Sequence, residues 1–125
     1  MSILLKIELN GLPPTVNQMY RTSKTGTRYK RLEVSDWQEE TALKMREAWG
    51  REVYRGAVEV HIEFTVKGKK RWDIDNRLKA LLDCLEKGGV IDDDSQIYGI
   101  VAYKKHGEKD STEFVMMEYG EAYKK

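Results

Sequence analysis

The sequence predicts a single α/β (α+β) domain in the order β-α-β-α-β-β, a small mixed sheet with two helices. Three observations predict it. Residues 57–66 alternate apolar and polar side chains with period two. Two other segments, near 34–48 and 76–87, repeat apolar residues at helical spacing. Turn-forming residues fall between them: Gly11 with Pro13 and Pro14, Gly50, Gly88-Gly89 and Gly107.

The elements follow in order. Residues 3–9 place Ile3, Leu5, Ile7 and Leu9 on one face of a first strand, stopped by Gly11 and the two prolines. Residues 12–33 read as a long, polar, basic loop, and a loop of that length without its own structure is usually functional or mobile. Ser35 with Gln38 has the form of a capping box, with Glu39 and Glu40 suited to a helix N-terminus. Val34, Trp37, Thr41, Met45 and Ala48 continue at helical spacing to Gly50. In the second strand Val58, Val60, Ile62, Phe64 and Val66 alternate with Glu59, His61, Glu63 and Thr65, giving one buried and one open face. The second helix, about 76–87, carries Leu78, Leu81, Leu82 and Leu85 as its stripe, with Asp75 placed as N-cap and Gly88-Gly89 as stop. Two last strands, about 96–105 and 112–119, read as a hairpin across residues 107–110. The domain covers 1–120, and 121–125 read as a short frayed tail.

Composition narrows the function classes. With 40% hydrophobic and 34% charged residues, the chain suits a soluble domain with a charged surface. No stretch nears the roughly 18 consecutive apolar residues of a membrane span. Cys84 is the single cysteine, which excludes a disulfide framework or a cysteine zinc site and makes the cytoplasm the default. It reads as a small helix-packing residue. Net charge is only +1, yet its distribution is uneven. Arg21, Lys24, Arg28, Lys30 and Arg31 sit in a run without acids. Lys67, Lys69, Lys70 and Arg71 precede Trp72. One such run alone reads as a solvated loop; two, one abutting an acidic cluster, point to phosphate binding. Trp72 is expected to pack beneath the basic strip, the other reading being a base-stacking platform.

That acidic cluster is the most informative feature. Asp73 and Asp75, followed by Lys79 and later by Asp92-Asp93-Asp94, crowd carboxylates that would raise one another's pKa unless a cation offset the repulsion. Oxygen-only donors suit Mg²⁺ or Mn²⁺. A carboxylate metal site beside a cationic strip is what metal-dependent phosphodiester cleavage requires. A helix of about a dozen residues climbs ~18 Å, and residues 89–94, if extended, can travel ~17 Å back. Asp94 could therefore regain the level of Asp75. Lys79 lies one turn after Asp75. It either pairs with Asp75 or Asp83 along the helix or stabilises charge on the scissile phosphate. Asp73 and Asp75 could instead be a turn and a cap, and at least one of the three later aspartates is expected to be only an acidic turn. His61 and His106 are too scattered for an imidazole site. No Gly-rich phosphate loop or hydroxyl–imidazole–carboxylate arrangement is present.

The pattern Asp73-x-Asp75-Asn76-x-x-Lys79-Ala80, then Asp83-x-Leu85, Gly89 and Asp93-Asp94-Ser95-Gln96-Ile97, resembles the core motif of the RusA family of Holliday junction resolvases. Pro13-Pro14-x-x-Asn17-x-x-Tyr20-Arg21 is similar to that family's signature after its first strand. The resemblance spans nearly the whole chain, and its specific part is the central block of about two dozen residues. It implies a small α/β homodimer that uses Mg²⁺, or Mn²⁺ in its place, to nick four-way branched DNA symmetrically in recombination and repair. Asp73, Asp75 and Asp94 would be the metal carboxylates and, with Lys79, the catalytic set; Asp93 would at most assist. Arg21, Lys24, Arg28, Lys30, Arg31, Lys69, Lys70 and Arg71 would grip phosphates. Phages and prophages hold many relatives. The alternatives are a broader structure-selective nuclease acting on flaps or forks, an RNA-directed nuclease, and a non-catalytic DNA-binding module whose aspartates cap a helix.

Overall fold

A computed structural model describes residues 2–69 and 71–120, with backbone alone at residues 18, 20, 21 and 28–30. Lys70 and the tail expected at 121–125 lie outside the described residues. The chain runs β1 (Ile3–Asn10), α1 (Val16–Met19), β2 (Tyr20–Thr22), β3 (Arg28–Lys30), α2 (Leu32–Trp49), β4 (Val58–Val66), α3 (Asp75–Lys87), a 3₁₀ turn at Asp94–Gln96, β5 (Ile97–His106) and β6 (Ser111–Glu118). The expected mixed sheet with two long helices is present. Its strand order is β1-β6-β4-β5, with β4 and β5 parallel and the other neighbours antiparallel.

β4 holds the centre because its side chains can be buried most completely. Val58, Val60, Ile62 and Phe64 are at most 1% exposed, and they meet Met45 and Trp49 of α2 and Leu81, Cys84 and Leu85 of α3 in one core. Both helices therefore cover the same face of the sheet. On the other face Glu59, His61 and Glu63 carry polar contacts: His61 Nε2 lies 2.5 Å from Glu59, and Lys105 lies 2.7 Å from Glu63. Cys84 is buried in the helix packing, as its size suggested.

Four local expectations are corrected. The predicted hairpin does not form, because β4 lies between β5 and β6. Residues 107–110 instead cross over the end of β4, a span of about two strand spacings or ~10 Å. The Gly107 N–H donates to the Val66 carbonyl, and the Lys67 N–H donates to the Asp110 carboxylate. A Cβ at Gly107 would stand 2.4 Å from Thr65 Cγ2, so any larger residue at the crossing would force the Thr65 side chain to move.

The 12–33 segment is not a featureless loop. It holds the short α1 and a small β2–β3 hairpin turning at Gly26, whose φ of 88° is left-handed. Gly26 N–H donates to Ser23 O, and Ser23 N–H to Thr27 O. Three-residue strands are too short to show period two. Met19, fully buried against Val34 and Ala80, anchors the segment.

Ser35 is not the cap of α2. The helix begins at Leu32, and Ser35 N–H already donates to Arg31 O within it. Gln38 is 1% exposed, and its side-chain amide donates to the Ala80 carbonyl of α3, so a tertiary contact replaces the capping box. Asp75 is likewise the first residue of α3 and not its cap, the cap position being Ile74 with no side-chain bond. The end of α3 is set by close packing: a Cβ on Gly88 would lie 2.6 Å from the Ala42 carbonyl oxygen of α2.

Candidate active site

The β4-α3-β5 crossover gives the site two ends. β4 and β5 run parallel from Val58–Ile97 to Val66–His106, with one register shift after the first pair, so α3 must travel back along them. Its N-terminus lies where β4 finishes, and its C-terminus lies where β5 starts.

At the first end, Trp72 anchors the approach to the helix. Its ring packs edge-on against Phe64 at 5.4 Å, with Arg77 and Lys104 each 4.7 Å from the ring centre. Lys104 also donates to the Trp72 carbonyl at 2.7 Å. Trp72 therefore packs, as the sequence suggested. Arg77 donates to the Pro13 carbonyl, tying the proline signature to α3. Burial draws the Arg77 guanidinium below its ordinary value, opposed by the charge of Asp110. With this frame fixed, Asp73 and Asp75 are left exposed at the start of the helix. The Asp73 carbonyl accepts from Asn76 N–H, closing the turn that aims them. Lys79 is exposed one turn on, 3.5 Å from Asp83, which is the helix pairing weighed from sequence.

At the other end, the three consecutive aspartates divide their work. Asp92 accepts from Arg55 at 3.1 Å. Asp93 caps the 3₁₀ turn by accepting from Ser95 N–H, with Gln96 returning a bond to the Asp93 N–H in a capping box. The Ser95 amide holds the Asp93 carboxyl below the usual carboxylate value, helped by the Ser95 hydroxyl and by Asp94. Gln96 is a knot: its oxygen accepts from Asp92 and Asp93 N–H, and its amide donates to the Tyr54 and Gly56 carbonyls. Asp94 N–H donates to Glu86 in the last turn of α3.

Among the described residues, one acidic group has ligand atoms all within 4.8 Å of one another: Glu86, Asp93 and Asp94. Asp73 and Asp75 are not in it. Glu86 stands eleven residues beyond Asp75, about 16 Å along the helix axis. The extended return that would have lifted Asp94 to Asp75 is not taken. Val90 and Ile91 are buried, and Ile91 bridges Tyr54 beside the start of β4. Asp73, Asp75 and Lys79 thus share one end of α3, and Asp94 occupies the other.

Glu86 was missed in the sequence. Its signal is an acid in the last turn of a helix, where the macrodipole disfavours negative charge unless something offsets it. Of the cations named from sequence, Lys24, Lys69 and Arg71 are exposed and Arg31 is half-buried before α2. Arg21, Arg28 and Lys30 are described as backbone only, and they place the basic run on the β2–β3 hairpin. Lys69 is joined by Lys104, Lys105 and His106 around a cavity of about 370 Å³ at the end of β4 and β5. Lys104 and Lys105 were hidden in a segment read only as strand, and His106 was set aside as too scattered for an imidazole site.

The same segments carry a likeness to known proteins. The family model described as Endodeoxyribonuclease RusA matches residues 11–117. The chain is 30% identical over 101 residues to the crossover junction endodeoxyribonuclease RusA of Aquifex aeolicus (strain VF5), covering 81% of this chain and 80% of that protein. No helix among the described residues is long and apolar enough to cross a membrane. The family match takes in the proline segment, both ends of α3 and the whole β4-α3-β5 crossover, and the chain belongs to the RusA family of endodeoxyribonucleases.

Proposed function

We propose that this chain resolves four-way DNA junctions as a homodimer, by divalent-metal-dependent hydrolysis with paired nicks. The observation that carries the dimer is the separation of the acids. Asp73 and Asp75 lie at one end of α3 and Asp94 at the other, too far apart to share an ion within one protomer. A two-fold axis that sets α3 antiparallel to its copy brings Asp73 and Asp75 of one protomer to Asp94 of the partner subunit, twice. A four-way junction is itself two-fold symmetric, and two such sites supply its two cuts.

The donor set fits a hard cation: exposed carboxylates, without imidazole or thiolate. Mg²⁺ is the expected ion, with Mn²⁺ able to replace it; when bound it polarises the phosphate and lowers the pKa of an attacking water. The chain's own residues do the rest. Lys79, exposed one turn above Asp75, offers an ammonium to the oxygen on which charge develops. Lys24, Lys69 and Arg71, with Arg21, Arg28, Lys30, Arg31 and Lys70, hold flanking phosphates without reading sequence. Glu86 and Gln96 fix the backbone that presents Asp94. The cytoplasm, where junction DNA is met, suits a domain whose single cysteine is buried.

The test is cleavage of a labelled, mobile four-way junction with Mg²⁺ or Mn²⁺ and with EDTA, beside linear duplex, for wild type and Asp75→Asn. Paired, metal-dependent nicks in the junction alone, lost in the variant, are expected. Equal cutting of duplex would reduce the reading to a general nuclease. Binding without cutting in either metal would overturn it in favour of a non-catalytic module.

A further inference from the structure

We propose that the cavity between the proline segment, the start of α2 and the first turn of α3 seats one unstacked nucleobase of the DNA, with Arg31 and Arg77 holding its edge. The inference rests on the nuclease reading above and deepens its substrate recognition. It moves Arg31 from gripping a phosphate to holding a base.

Among the described residues, three buried side-chain nitrogens have no hydrogen-bond partner: Arg31 Nε, Arg77 Nε and Trp72 Nε1. A buried donor left unpaired is costly, and each case in a native protein calls for an occupant. Arg31 and Arg77 line the same cavity, of about 430 Å³. They reach it from different elements, Arg31 just before α2 and Arg77 in the first turn of α3. Arg77 commits Nη1 to the Pro13 carbonyl and lays its guanidinium 4.7 Å from the Trp72 ring centre. That leaves the edge made by Nε and Nη2, the pair of parallel donors with which a guanidinium makes bidentate contacts.

The rest of the lining defines the occupant. Pro14, Val34 and Trp37 give apolar and aromatic walls, and Glu33 and Asp110 add two carboxylates. Asp110 is held by the Lys67 N–H, and its charge favours the Arg77 cation. Two cations and two anions leave the lining without net charge. A backbone phosphate would be repelled by both carboxylates and would gain little from the walls. A nucleobase answers every part. Its face stacks on Trp37, its acceptors take the guanidinium donors, and its N–H groups donate to the carboxylates. Guanine matches most fully, with adjacent O6 and N7 acceptors for one guanidinium and an N2 amino donor for a carboxylate.

The position suits the substrate. Arg77 lies two residues past Asp75, about 3 Å along the helix axis and about 200° around it. Its side chain therefore leaves α3 at the level of the acids but on the opposite side. A strand laid across the helix start would set a phosphate at Asp73 and Asp75 and a neighbouring base in the cavity. Bases beside a branch point are the least firmly stacked in the substrate, so one of them unstacks at the lowest cost.

The first arm of the test needs no junction. The whole chain is titrated, by ¹H–¹⁵N NMR, with dGMP, dAMP, dCMP and dTMP and with 2-deoxyribose 5-phosphate, which lacks a base. dGMP is expected to bind most tightly and to move the Trp37 indole signal, and the base-free sugar phosphate is not. Arg77→Lys keeps the charge but loses the two-donor edge. Arg31→Gln removes a side chain that makes no cap bond, so it leaves the fold intact. Each should weaken dGMP by about tenfold, and Lys44→Gln on exposed α2 should not. Equal binding by the sugar phosphate, or variants with wild-type affinity, would overturn the base pocket. The second arm measures binding, in EDTA, of four-way junctions that each lack one base beside the branch. Loss of the base at one position should weaken wild type by about tenfold and leave Arg31→Gln unaffected. Equal losses in both proteins would overturn the pocket. A chain that binds dGMP but cuts no junction with Mg²⁺ would keep the pocket and sink the nuclease reading. Metal-dependent cutting without any effect of the missing base would do the reverse.

Discussion

The Glu86 carboxylate accepts the backbone N–H of Asp94, fastening the last turn of α3 to the start of β5. An acid at a helix C-terminus works against the dipole, and this bond gives it a purpose: it orients the backbone that carries Asp94. In the proposed reaction Glu86 would therefore be a positioning residue. Glu86→Ala should lower single-turnover junction cleavage by tenfold or more while costing only about 1 kcal/mol of stability. Glu86→Gln keeps the accepting oxygen and should restore most of the cleavage. Equal losses in both variants would show that the charge, and not the hydrogen bond, matters.

Because Asp75 and Asp94 stand at opposite ends of one helix, mixed dimers discriminate between site models. Asp75→Asn and Asp94→Asn should each be inactive alone. Co-refolded together, each mixed dimer would combine both changes in one composite site and leave the other intact. Random pairing then restores about a quarter of the sites, and the product should be a junction nicked on one strand. Complete inactivity of the mixture would place the whole site within one protomer.

The capping role of Asp93 predicts a pH signature. Its carboxyl is held low by Ser95, so the folded state prefers the ionised form. A depressed folded value contributes stability that is present above the unfolded value of about 4 and lost as pH falls through the folded one. Asp93→Asn keeps a good cap without the titration. Its stability deficit should therefore be visible at neutral pH and vanish in acid, as followed by thermal melts from neutral pH to about pH 2. A deficit that does not change with pH would assign the effect to geometry alone.

Much of this was legible in the chain because it is local. The alternation of β4 fixes its burial, and the 3.6-residue stripes fix both helices. The spacing of Asp73, Asp75 and Lys79 falls on a helix start whatever the tertiary fold. Partner choice is not local. Nothing in residues 96–119 says that β4 will enter between two strands joined by a short turn, or that a larger residue at Gly107 would force the Thr65 side chain to move. The Ser35–Gln38 pattern misled for a related reason: Gln38 meets Ala80, forty-two residues away. The separation of Asp94 from Asp75 follows from Val90 and Ile91 sinking into the core, an outcome that chain-length arithmetic permits but does not select.

In the cavity formed by Lys69, Lys104, Lys105 and His106, Lys104 and Lys105 add charge that the two basic runs did not predict. Two of its lysines already have partners: Lys105 lies 2.7 Å from Glu63, and Lys104 bonds the Trp72 carbonyl. Lys69 is exposed and has no such tie among the described contacts, which leaves its ammonium available to a phosphate. Lys69→Gln should weaken junction binding similarly for every sequence and lower the slope of log K against log salt by about one. Lys44→Gln, exposed on α2, serves as the control and should change neither. If Lys69→Gln leaves the slope unchanged while Lys105→Gln lowers it, the phosphate lies on the open face of the sheet, with Glu63 yielding its partner to the DNA.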